Sequence, residues 1–116
     1  MTIDRQLLEQ AYAAFNARDV DAALATMDPN VTWPNGMAGG YVSGHSGVRD
    51  YWLCQWQLID PRVEPERFET DQDGCILVEV HQVVRNLAGD ILKDQMVHHA
   101  FVIENGRITR MDIRNP

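Results

Sequence analysis

In Ile3–Arg18 the apolar side chains Leu7, Leu8, Ala11, Tyr12 and Phe15 recur at i, i+1, i+4, i+5 and i+8, which places them on one face of an α-helix. Asp19 then reads as the N-cap of a shorter helix, Val20–Met27, with Val20, Ala23, Leu24 and Met27 turned inward. Asp28-Pro29-Asn30 stops it. A pair of helices this short cannot bury its apolar face by itself, so the pattern calls for a sheet to pack against.

Val31–Trp33 reads as a short strand that ends at Pro34-Asn35-Gly36. The following stretch, Asn35–Gly47, holds five of the eight glycines and reads as a loop bordering an opening. A third helix is predicted over Gly47–Ile59, with Val48, Tyr51, Trp52, Gln55 and Trp56 on related faces and Asp60-Pro61 closing it. From there the period changes to that of strands. Arg62–Asp71 is a polar strand, Cys75–Asn86 a long one rich in β-branched residues, and Ile91–Glu104 another. Asn105-Gly106 is the strongest hairpin signal in the chain, and Arg107–Asn115 pairs back as the last strand.

Length and composition narrow the classes. At 116 residues there is room for one domain over 1–116 with one core, and 45% apolar against 23% charged residues is ordinary globular composition. A formal charge of −7, with Lys93 the single lysine, speaks against a nucleic-acid or anionic-membrane surface. No apolar run reaches membrane-spanning length and no leader pattern precedes the first helix, so a cytoplasmic protein is expected. Cys54 and Cys75 are then free thiols, Cys54 reading as a small core residue. No Cys/His cluster has zinc spacing and no glycine-rich phosphate loop is present, so neither a metal nor a cofactor is expected.

The order helix, helix, short strand, helix, antiparallel meander resembles the nuclear transport factor 2-like superfamily, which includes ketosteroid isomerases, SnoaL-like polyketide cyclases, scytalone dehydratase and limonene epoxide hydrolase. The residues that carry the likeness are Tyr12-Ala13-Ala14-Phe15-Asn16, Arg18-Asp19-Val20-Asp21-Ala22, Val31-Thr32-Trp33-Pro34-Asn35-Gly36, Gly44 before Val48-Arg49-Asp50-Tyr51-Trp52, and Glu104-Asn105-Gly106-Arg107-Ile108 with Met111. The resemblance implies an α+β fold: a curved antiparallel sheet wrapped around three N-terminal helices, cystatin-like, with a cone-shaped pocket on the concave side. One such fold hosts many chemistries.

Matching the last hairpin to ketosteroid isomerase puts His98 where that family has its oxyanion-binding Asp. Met96, His98, Ala100 and Val102 would then face the pocket, with Val97, His99, Phe101 and Ile103 on the convex face. The same matching turns Val78, Val80 and Gln82 inward, and likewise Met111, Ile113 and Asn115. A β-bulge would invert part of this assignment. The general-base Asp of that family is replaced by Trp33, and its first-helix Tyr falls on Ala11, one residue from Tyr12. Steroid isomerisation by the familiar route is therefore not expected.

These matches leave His98 as the expected acid/base, because imidazole titrates near neutrality, with Gln82 assisting. Tyr12, Phe15, Trp33, Trp52, Trp56, Val80, Met96, Met111 and Ile113 are the expected ligand contacts, an aromatic lining that suits a hydrophobic or aromatic molecule. The resulting expectation is a small-molecule pocket protein of SnoaL-like type, acting as a cofactor-free isomerase, cyclase or dehydratase. The alternative is a non-catalytic ligand-binding or scaffold domain. A homodimer through the convex face follows from the resemblance and from the apolar Val97, Phe101 and Ile103 placed there.

Overall fold

The computed structural model describes residues 2–72 and 74–114, with side chains from Asp4 onward. Helix α1 (Thr2–Asn16) and α2 (Val20–Leu24) lead into β1 (Met27–Pro34), β2 (Tyr41–Ser43) and α3 (Gly44–Leu58). Four strands follow: β3 (Asp60–Thr70), β4 (Ile76–Arg85), β5 (Ile91–Glu104) and β6 (Arg107–Arg114). Asp19 caps α2 through Ala22 N–H to Oδ1 at 3.1 Å. The second helix is shorter than expected, because Met27 already belongs to β1, and part of the glycine-rich segment pairs as the edge strand β2.

The six strands lie in the order β2-β1-β6-β5-β4-β3 in a curved sheet that does not close. All neighbours are antiparallel except β1 with β6. Asn105 and Gly106 adopt φ of 53° and 77°, the left-handed backbone that a tight two-residue hairpin needs. Leu8, Tyr12, Val48 and Trp52 from the helices meet Val31, Val78, Val80, Phe101, Ile108 and Met111 from the sheet in the core. Two side chains fasten the end of α1 to β3. Asn16 donates from Nδ2 to Val63 O at 2.7 Å and accepts Val63 N–H at 3.0 Å, replacing a missing strand partner. Arg18 donates to Phe15 O and Pro61 O and pairs with Asp60.

The faces of β5 are opposite to those expected. Ile108 and Met111 are both buried although three residues apart, because β6 carries a bulge at Thr109. Before the bulge Ile103 pairs with Ile108; beyond it Val102 pairs with Arg110, Phe101 with Met111 and His99 with Ile113. Directly paired residues share a face, so Val97, His99 and Phe101 turn inward. Met96, His98, Ala100 and Val102 turn to the outer face. Without the bulge the register would instead pair His98 with Ile113 and turn His98 inward, as the match to ketosteroid isomerase had it. On β4 the inward set Val78, Val80 and Gln82 is as expected, since Val78 pairs with His99. Asn115 lies outside the described residues.

Three consequences follow. The apolar residues that argued for a dimer through the convex face, Val97 and Phe101, are buried in the core. Asp112 is on the outer face, held by Arg110 and Tyr41. Cys54 is exposed on α3 rather than packed in the core, and both cysteines are free.

Candidate functional site

The concave side of the sheet and helices α1 and α3 enclose a cavity with about 660 Å³ of atom-free space, its open mouth included. Tyr12 and Phe15 reach it from α1, because Ala11, Tyr12 and Phe15 fall on the inward helical face. Tyr51, Trp52 and Gln55 reach it from α3, Trp33 and Pro34 from β1, and Pro61 and Val63 from β3. Gln82, His99, Phe101, Met111 and Ile113 close it from the sheet. None of the lining residues is Asp, Glu, Lys or Arg.

Aromatic rings form most of the wall. Trp33 and Trp52 meet edge to face at 5.6 Å between ring centres, Trp33 and Phe101 lie at 6.3 Å, and Phe15 meets Trp52 edge to face at 5.2 Å. Tyr12 and His99 stack at 5.9 Å with their planes 8° apart. Such contacts add about 0.5–1.5 kcal/mol each to the area they bury and fix the rings before any ligand arrives.

Tyr12 and His99 form the polar centre of this wall. Tyr12 Oη and His99 Nδ1 are 2.7 Å apart, with His99 only 6% exposed. Burial lowers the imidazole pKa to about 4, with the neighbouring His98 adding a smaller push in the same direction. Burial also raises the Tyr12 hydroxyl well above its ordinary pKa. Both groups are therefore neutral at physiological pH. Where Tyr12 donates to Nδ1, the imidazole proton sits on Nε2. His99 lines the cavity, and Nε2 has no hydrogen-bond partner among the described residues.

Two further polar groups line the space. Gln82 accepts from Gln95 Nε2 at 3.0 Å through Oε1, which leaves its amide N–H groups available. The Tyr51 hydroxyl accepts from Gly36 N–H at 3.0 Å and from Gln55 Nε2 at 3.3 Å. Among the described residues no group of three His, Cys, Asp or Glu side chains converges as a metal site would require.

Tyr12, Phe15, Trp33, Trp52, Met111, Ile113 and Gln82 thus lie on the cavity, together with His99, Tyr51, Gln55 and Phe101, which the sequence reading did not single out as site residues. The other expected site residues are elsewhere. His98 borders a shallow outer-face groove with Arg67, Glu69, Leu77 and Glu79. Met96 is on the same outer face, 38% exposed. Val80 is fully buried in the core. Trp56 packs behind Trp52, at 5.8 Å, beneath the Arg18 guanidinium at 5.0 Å. The signal for Tyr51 and Gln55 was their i,i+4 spacing beside Trp52; for His99 it was the Ile108–Met111 spacing that marks the bulge.

A cone of helices and curved sheet around an aromatic cavity without charged side chains defines the class. The SnoaL-like domain model matches residues 8–111, and the chain belongs to that family, within the nuclear transport factor 2-like superfamily. Among solved structures, TerC co-crystallised with polyporic acid is 26% identical with a TM-score of 0.84, over 98% of this chain and 92% of TerC. A nuclear transport factor 2-like protein from Burkholderia pseudomallei is 27% identical with a TM-score of 0.85, over 100% and 92%. A cystatin-fold protein from Novosphingobium aromaticivorans shares the fold at 17% identity, with a TM-score of 0.77 and 97% coverage of both chains. No curated protein is similar enough in sequence to match. No helix among the described residues is long and apolar enough to cross a membrane.

Proposed function

We propose that this chain holds a small, flat, hydrophobic molecule bearing a carbonyl or comparable oxygen, and that His99 meets that oxygen with Nε2–H. The observation that carries this reading is the buried 2.7 Å contact between Tyr12 and His99 in a wall of aromatic rings. A neutral imidazole whose orientation and tautomer are fixed is a weak base but an effective donor to an oxygen that gains negative charge. The role expected of His98 passes to the next residue and changes from acid/base to electrophile. Reactions within reach are those that a carbonyl-polarising donor and confinement assist without a protein base or cofactor, such as ring closure in which the substrate supplies its own proton acceptor. That TerC, at 26% identity, was co-crystallised with polyporic acid supports a small organic ligand here.

The absence of carboxylates from the lining favours a second reading, a non-catalytic carrier of the same ligand class. A thermal-shift screen of steroid, terpenoid, polyketide and aromatic-acid compounds on wild type, His98→Ala and His99→Ala tests the site. Stabilisation lost in His99→Ala and kept in His98→Ala is expected; the reverse pattern ends the proposal. Chromatography of the best ligand after incubation separates the two readings, since a carrier returns it unchanged.

A further inference from the structure

Tyr51 faces the cavity from the α3 side, and its hydroxyl oxygen already accepts two hydrogen bonds, from Gly36 N–H and Gln55 Nε2. Those two donors occupy both lone-pair positions of a hydroxyl. The hydroxyl proton has no acceptor among the described residues, and the group remains protonated at neutral pH because burial raises its pKa more than the two donors lower it. Accepting two hydrogen bonds polarises an O–H and strengthens it as a donor. The two donors come from different elements: Gly36 lies in the loop between β1 and β2, and Gln55 one turn along α3. The phenol is thereby fixed at the junction of helix and loop before a ligand enters.

We propose that Tyr51 is a specificity-determining residue whose hydroxyl donates to an acceptor oxygen of the bound molecule. With His99 Nε2–H and the Gln82 amide, the cavity then offers ligands chiefly hydrogen-bond donors among aromatic walls. Its substrate class is a flat hydrophobic compound with two or more acceptor oxygens, such as a diketone, a quinone or a hydroxylated aromatic ketone. This deepens, and rests on, the cavity reading given above.

The probes are 2,6-diacetylnaphthalene and 2,6-diethylnaphthalene, alike in outline and different in their two carbonyl oxygens, with affinities read from tryptophan fluorescence. Wild type is expected to prefer the diacetyl compound. Tyr51→Phe is expected to weaken it about 3- to 10-fold, the effect of one neutral hydrogen bond, and to leave the diethyl compound unchanged. A purely structural loss at the Gly36 contact would weaken both probes together, and that result, or no change in either, overturns the role of Tyr51 while the cavity reading stands. Failure of both probes to bind wild type removes the cavity reading and this inference with it. The carbonyl stretching band of the bound diacetyl probe gives a check that needs no variant for its first half. It shifts to lower frequency in wild type, and one of the two carbonyls recovers in Tyr51→Phe.

Discussion

Tyr12 Oη and His99 Nδ1 stand 2.7 Å apart across the junction of α1 and β5, eighty-seven positions apart in the chain. The contact joins a helix to a sheet strand and satisfies two polar groups that would otherwise be buried alone; with Tyr12 donating, the imidazole proton is left on Nε2. Tyr12→Phe leaves Nδ1 without a protein partner and is expected to cost about 1–3 kcal/mol in urea unfolding. In ¹⁵N NMR the His99 ring should read as the Nε2–H tautomer in wild type and lose that preference in the variant. An unchanged tautomer would mean that something other than Tyr12 sets it.

Acid should weaken the protein through His99. Its pKa is ordinary in the unfolded chain and about 4 in the fold, so between these values the unfolded chain binds a proton that the folded chain does not. Stability is therefore insensitive to this group above its ordinary pKa and falls as pH drops through the window. The loss amounts to roughly 3 kcal/mol across the full window. Wild type should lose more unfolding free energy than His99→Gln when pH is lowered from about 7.5 to about 4.5. Parallel losses in the two proteins would show that His99 titrates normally.

Two positions on opposite faces of β5 should respond very differently to substitution. Phe101 is 1% exposed between Tyr12 and Trp33, so Phe101→Asp places an unpaired charge in the core and is expected to cost about 4 kcal/mol or more. His98→Ala on the outer face should stay within about 0.5 kcal/mol of wild type. Thermal melts followed by circular dichroism separate the cases. A folded Phe101→Asp with wild-type stability would contradict the inward placement.

Helix α3, which supplies Tyr51, Trp52 and Gln55, starts at a glycine that has no easy substitute. Gly44 has φ of 74°, and a Cβ there would approach Pro29 O to 3.2 Å. Gly44→Ala therefore combines left-handed strain with a backbone contact and is expected to cost about 1–2 kcal/mol or somewhat more. Gly39→Ala, with φ of 83° and nothing within 4 Å, carries the strain alone and should cost less. Equal midpoints in urea for the two variants would mean that the Pro29 contact relaxes freely.

Much of the architecture was legible along the chain. The 3.6-residue spacing of Leu8, Ala11, Tyr12 and Phe15 determined α1 and its inward face; the Asn105-Gly106 turn determined the last hairpin and the bounds of β5 on either side of the turns. These are local matters, settled by backbone sterics and by the need of an amphipathic face for cover. The family resemblance also gave the inward residues Val78, Val80 and Gln82 of β4 and Met111 and Ile113 of β6.

Which histidine enters the cavity was decided only in three dimensions. His98 and His99 are adjacent in a strand, and a shift of one residue in pairing exchanges their faces. The bulge at Thr109 makes that shift on the partner strand, ten positions beyond the residue it reorients. Alternation along β5 says that the two histidines oppose each other, but the face of each is set by pairing with β4 and β6 together. The same holds for Tyr51, whose hydroxyl accepts a backbone hydrogen bond only because the glycine-rich loop brings Gly36 N–H back onto it. Local spacing determined the elements, and the long-range register between them determined which polar residues line the cavity.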